Sequence, residues 1–153
     1  MGMELQEDGR FSEALDSLIT LIAGEIGDNS FAHNIGNWPD TPGIFYAYDL
    51  KKRVIVLADR GRGVKATLRQ VKPSIVDDKE ALKVAFTEII SGRNPEKRGQ
   101  GLKVVLRVLE SREVGLFYCS GIGIATFPVK KPGHLTIGMA KQNVRGTYCV
   151  IKF

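Results

Sequence analysis

The sequence predicts an α+β protein, a two-layer sandwich in which about three main helices cover one face of a mixed, mostly antiparallel sheet. Three observations predict it. Apolar residues recur at helical spacing early in the chain, a pair of short β-type runs follows, and the C-terminal part is dominated by β-branched and aromatic runs. At 153 residues the chain suits one compact domain able to bury a core without covalent staples.

The elements follow in order. Met1–Phe11 is short, polar and acidic and reads as a lead-in, with the domain running from residue 12 to 153. Ser12 can cap a helix, and Leu15, Leu18, Ile19, Ile22 and Ile26 then share one face, so a long helix is expected from Ser12 to about Ile35. Gly24 and Gly27 interrupt it weakly, and Asn37 to Gly43, with two prolines, ends it. Ile44–Asp49 and Arg53–Ala58 read as an antiparallel hairpin across Leu50-Lys51-Lys52. Helices are expected at about Asp78–Ser91 and Gln100–Arg112. Gly115–Cys119, Gly123–Val129, His134–Ala140 and Gly146–Phe153 read as strands, with Gly121-Ile122-Gly123 as a hairpin turn, for about six strands in all.

Composition removes several function classes. A 43% hydrophobic content excludes disorder, and two cysteines exclude a disulfide framework. Cys119 and Cys149 lie in apolar strands and are expected as buried thiols, with no zinc spacing around them. The run Leu18–Ala23 is far short of the roughly 18 residues of a membrane span, and its acidic flanks Asp16 and Glu25 do not suit a signal peptide. The expectation is a cytoplasmic protein with no membrane partner. Charge is uneven: residues 1–89 hold 11 Lys/Arg against 14 Asp/Glu, whereas residues 90–153 hold 11 against 3. A basic half invites a polyanion, but aromatic and basic residues do not interleave as base-stacking modules require, which argues against nucleic acid.

Three local patterns carry candidate chemistry. Glu25, Asn29 and His33 stand at i, i+4 and i+8, which places a carboxylate, an amide and an imidazole along one helix face. A solvated stripe explains the same spacing. Asp59-Arg60-Gly61-Arg62-Gly63 follows a strand directly; its carboxylate can accept from an exocyclic amine, and its glycines let backbone approach a flat ring, although an ordinary turn uses the same residues. Gly99-Gln100-Gly101-Leu102 opens a helix amid Arg93, Lys97, Arg98 and Lys103, an arrangement suited to phosphate but without the P-loop pattern.

In this order the three patterns resemble the ATP-binding domain of the GHKL group, the histidine-kinase-like (Bergerat) ATPases that include gyrase-type topoisomerases, heat-shock chaperones, histidine kinases and anti-sigma-factor serine kinases. The resemblance covers about Leu18–Phe153. Glu25 to His33 looks like the family's N-box, Asp59 to Gly63 like its G1 box, Gly99 to Gly101 like its G2 box, and Gly146-Thr147 matches a Gly-Thr found there.

The resemblance implies ATP and Mg²⁺ as cofactors. By it, Asn29 coordinates Mg²⁺ and Glu25 acts as general base or orients the nucleophile. Asp59 bonds the adenine 6-amino group, Gly61 and Gly63 line the base, and Thr147 reaches it through water. Gly99 and Gly101 offer N–H groups to phosphates, with Arg98, Leu102 and Lys103 beside them, and His33 lies on the ribose-phosphate side. A lid is implied at about residues 62–98. Lys103 stands where the family often has a third glycine, and no phenylalanine-rich F-box is evident.

The function implied is transfer of the γ-phosphoryl of ATP to a separate protein acceptor in signalling, since no phosphoacceptor hairpin is evident and His134 falls in a Pro-Gly turn. An ATP-hydrolysing switch of the gyrase or chaperone type and a non-catalytic nucleotide sensor stay open, as does a homodimer. About ten residues precede the first helix, fewer than relatives place there, so the domain is read as truncated, minimal or completed by another chain.

Overall fold

The computed structural model describes residues 16–30, 43–88 and 101–153. The expected lead-in, the Ser12 cap, the loop after the first helix, His33, Arg93, Lys97, Arg98 and Gly99 lie outside the described residues.

Helix α1 occupies residues 16–30. Ile19, Ile22 and Ile26 recur at three and four residues and are all buried, as the periodicity predicts. Strands β1 (Ile44–Asp49) and β2 (Val54–Asp59) form the expected hairpin, in register from Ile44↔Asp59 to Asp49↔Val54. Its tip closes with Asp49 Oδ1 accepting from the Lys52 N–H at 3.0 Å, and Arg53 takes a left-handed φ of 53°.

Two helices fill the segment between the first and second glycine motifs. The short α2 spans Gly63–Leu68 and α3 spans Asp78–Thr87. Asp77 caps α3 by accepting from the Glu80 N–H at 2.7 Å. Leu68, Ile75, Ala81 and Val84 form a small apolar cluster between them. Helix α4, Gly101–Ser111, follows. Lys131 closes its last turn by donating to the Leu109 carbonyl, with its ammonium 4.4 Å from the centre of the Phe127 ring.

The C-terminal half differs from the sequence expectation. Four predicted strands merge into two long ones, β3 (Gly115–Phe127) and β4 (Thr136–Lys152). Gly121-Ile122-Gly123 is not a hairpin turn; it is an irregularity within β3, where the register against β4 shifts on either side of Gly121. Gly121 has a φ of 62°, and positive φ serves a bulge as well as a turn, so glycine spacing alone does not separate the two.

The sheet order is β1-β2-β4-β3, and every pairing among the described strands is antiparallel, not mixed. The result is an α+β arrangement with four described helices and a four-stranded antiparallel sheet. Ile55, Leu57, Leu116, Tyr118, Cys149 and Ile151 point to one face and join Ile22, Ile26, Leu82, Phe86, Val105 and Leu109 in a single core. Burying each large aliphatic side chain contributes about 1.5–3 kcal/mol. The opposite face carries Phe45, Val56, Phe117, Tyr148 and Val150, half-buried to exposed. No helix among the described residues is long and apolar enough to cross a membrane.

Candidate functional site

Register builds the first half of the site. Asp59 ends β2 and pairs with Thr147 of β4, which pairs in turn with Ser120 of β3. These three polar residues form one row at the end of the helix-covered face, and all three are buried. A buried carboxylate needs donors, and Asp59 has them. Its Oδ1 accepts from the Gly61 N–H at 2.8 Å, and its Oδ2 accepts from the Thr147 hydroxyl. Tyr118 shares a hydrogen bond with Thr147; burial, then the neighbouring Cys149 and Asp59, push its phenol well above the ordinary range.

Two glycines make this packing sterically feasible. Gly146 has a φ of 79°, and a Cβ there would collide with the Asp59 carbonyl. Gly63 has a φ of 77°, and a Cβ there would stand 2.9 Å from Ser120 Oγ. The turn Gly61–Gly63 is thereby pressed onto the end of the sheet, with Asp59 beneath it.

The second half lies where α1 meets the start of α4. A Cβ on Gly101 would stand 2.8 Å from Glu25 Oε2 and 3.4 Å from Asn29 Nδ2. Glu25, Asn29 and Gly101 are therefore neighbours, although more than seventy residues separate the two helix residues from the glycine along the chain. Glu25 reaches the N-terminal end of α4, where the helix dipole is positive. Between them, Gly27 faces β2, its Cβ position being 3.8 Å from Leu57 Cδ2, an ordinary packing distance. Leu57 is two residues before Asp59, so α1 crosses the sheet near the Asp59 row.

Of the other expected residues, Leu102 is part of the main core. Lys103 is buried, and its ammonium donates to the Ala85 carbonyl at 3.4 Å, near the end of α3. Burial lowers its pKa, partly offset by Glu88. Lys65 and Lys72, expected in the lid, pair with Asp78 at 3.3 Å and Glu88 at 2.6 Å. Among the described residues, no three or more His, Cys, Asp or Glu group to hold a metal ion.

Sequence reasoning missed Ser120 and Tyr118. Ser120 leaves one weak signal, a lone hydroxyl in an apolar run; Tyr118 leaves only its place in the strand alternation. The chain matches no known protein-family model, and no curated protein is significantly similar to it.

Proposed function

We propose that the protein is a GHKL-type domain that binds Mg-ATP and transfers its γ-phosphoryl group to an acceptor on another protein. The observation that carries the reading is the pairing of two sites along α1: Asp59 with Gly61, Thr147 and Gly146 on one side, and Gly101 with Glu25 and Asn29 on the other. The first is a buried acceptor under a glycine turn, suited to an exocyclic amine. The second is a carboxylate and an amide at a helix N-terminus, suited to phosphate and a hard cation.

The roles follow from those chemistries. Asp59, already accepting from Gly61 and Thr147, has lone pairs left for a 6-amino donor, and Thr147 reaches the base through water. Asn29 would offer its amide oxygen to Mg²⁺, a hard cation that prefers oxygen ligands. When bound, that ion supplies charge neutralisation on the transferring group. The N–H groups of Gly101 and Leu102 at the start of α4 would meet the phosphates; for Arg98, Gly99 and His33 the phosphate-side and ribose-side roles rest on the sequence resemblance alone. Glu25 orients the acceptor and takes its proton as the new bond to phosphorus forms and the β–γ bridge breaks, releasing ADP. Lys103, beside Gly101 and Leu102 in sequence, directs its ammonium to the Ala85 carbonyl of α3.

Mg-ATP at millimolar concentration is expected to raise the melting temperature, and Asp59→Asn to abolish that rise. No rise in the native protein would overturn the reading. With radiolabelled ATP, label passing to a protein partner supports transfer. Release of free phosphate without a partner, lost in Glu25→Ala, would assign an ATP-hydrolysing switch instead. Binding with neither transfer nor release would assign a sensor.

A further inference from the structure

Helix α2 has no side-chain cap of its own: Arg62 occupies the capping position and makes no capping hydrogen bond. The acceptor for its second amide comes from another strand. Ser120 Oγ accepts from the Val64 N–H at 2.9 Å and donates to the Gly146 carbonyl at 3.0 Å. This is the role an N-cap serine plays locally, performed here from 56 residues away. Both bonds of the hydroxyl are internal to the fold, and its side chain is buried.

We propose that Ser120 is a positioning residue for base recognition, locking the Gly61–Gly63 turn and the Gly146–Thr147 segment onto the two oxygens of Asp59. The inference rests on the nucleotide reading above and adds a residue to it. Val64 fixes the end of the turn whose Gly61 N–H meets Oδ1, and Gly146 fixes the residue before Thr147, whose hydroxyl meets Oδ2. Gly63 has no room for a side chain beside Ser120 Oγ, so the hydroxyl and the glycine are matched in shape. Losing the hydroxyl frees both arms of the clamp while leaving Asp59 itself in place. The ligand feature that depends on the clamp is the 6-amino group of the base, not the phosphates.

The test compares ATP with inosine triphosphate, which carries a 6-oxo group in place of the amine. In Ser120→Ala, ATP affinity is expected to fall about tenfold, and inosine triphosphate affinity to change by less than about twofold, so discrimination narrows. Native-state hydrogen exchange supplies a ligand-free readout: the Val64 and Gly61 amides are expected to exchange at least about tenfold faster, with the α4 amides unchanged. Ser120→Cys, of similar size but with a weak hydrogen-bonding group, is the second variant should alanine prevent folding, and the same ranking is expected. A parallel fall for both nucleotides, or unchanged Val64 and Gly61 exchange, would overturn the proposal. If the native protein binds neither nucleotide, the functional reading falls and base recognition falls with it. The exchange result then decides the clamp alone.

Discussion

Thr147 donates its hydroxyl to Asp59 across the β2–β4 ladder, and both side chains are buried. Among the described residues Asp59 is the only buried acid, so its partners set what it costs to keep there. Thr147→Val keeps the shape and removes the donor, leaving one carboxylate oxygen short of a hydrogen bond. The expected loss is about 1.5–3 kcal/mol, against less than about 1 kcal/mol for Thr147→Ser, read from urea unfolding. Equal losses in the two variants would show that packing, not the hydroxyl, matters at this position.

Two glycines at the site are expected to respond in opposite ways to alanine. At Gly146 the positive φ and the Asp59 carbonyl leave no place for a Cβ, and neither can yield without moving β2. Gly146→Ala is expected to cost at least about 2 kcal/mol of stability. At Gly101 the obstacle is the mobile end of Glu25, and alanine favours a helix by up to about 1 kcal/mol. Gly101→Ala is therefore expected to leave stability within about 1 kcal/mol of the native value while moving the Glu25 carboxylate. On the proposed function, phosphoryl transfer or hydrolysis would then fall at least about tenfold, because small displacements of a reacting group are expensive. Paired melting curves and single-turnover rates check both outcomes.

These contrasts also show what the sequence made legible. Helix α1 was readable because Ile19, Ile22 and Ile26 repeat at its period, and the β1–β2 hairpin because two alternating runs flank a short polar link. The merging of four C-terminal strands into β3 and β4 was not readable, because a glycine at positive φ marks a bulge and a turn alike. Asp59, Gly61 and Thr147 could be singled out along the chain, but the pairing of β2 with β4 is what brings Thr147 to the carboxylate. Ser120 left only a lone hydroxyl in an apolar run, because its partners Val64 and Gly146 are distant in sequence and only the folded packing of α2 and β4 on β3 brings them to it. Lys103 illustrates a third limit: its backbone stands near Gly101, but a four-carbon stem carries its ammonium to Ala85.

Lys103 gives a pH signature of definite sign. Its folded pKa lies below the ordinary 10.5, chiefly through burial, so the folded state binds its proton less tightly than the unfolded chain. Between the folded value and 10.5 the unfolded state carries more protons, and this contribution to stability rises with pH. Below the folded value the penalty is present in full. Lys103→Met is therefore expected to be at least as stable as the native protein at pH 7, and its advantage to shrink as pH approaches 10.5. Other groups titrate in the same range, so the quantity to measure is the difference between the two proteins from urea unfolding at each pH. A constant difference would mean that the ammonium is as well solvated folded as unfolded.

The two thiols are expected to be silent until the fold opens. Cys149 lies in the core and Cys119 is also buried; burial pushes both thiols up, with Asp78 adding to the effect at Cys119. Only the thiolate attacks a disulfide reagent, so both access and ionisation work against reaction in the native state. Native protein at pH 8 is expected to react at least about a hundredfold more slowly with an aromatic disulfide than the urea-unfolded chain, where both thiols titrate normally. The same shifts carry a stability consequence. The folded thiols keep protons that the unfolded thiols lose above about pH 8.5, so the thiol contribution to stability falls as pH rises beyond that point. Replacing both cysteines with alanine is expected to flatten that fall while costing stability at neutral pH, chiefly at Cys149 where the core closes completely around sulfur. Rapid labelling of either thiol in the native protein would place the corresponding strand outside the core.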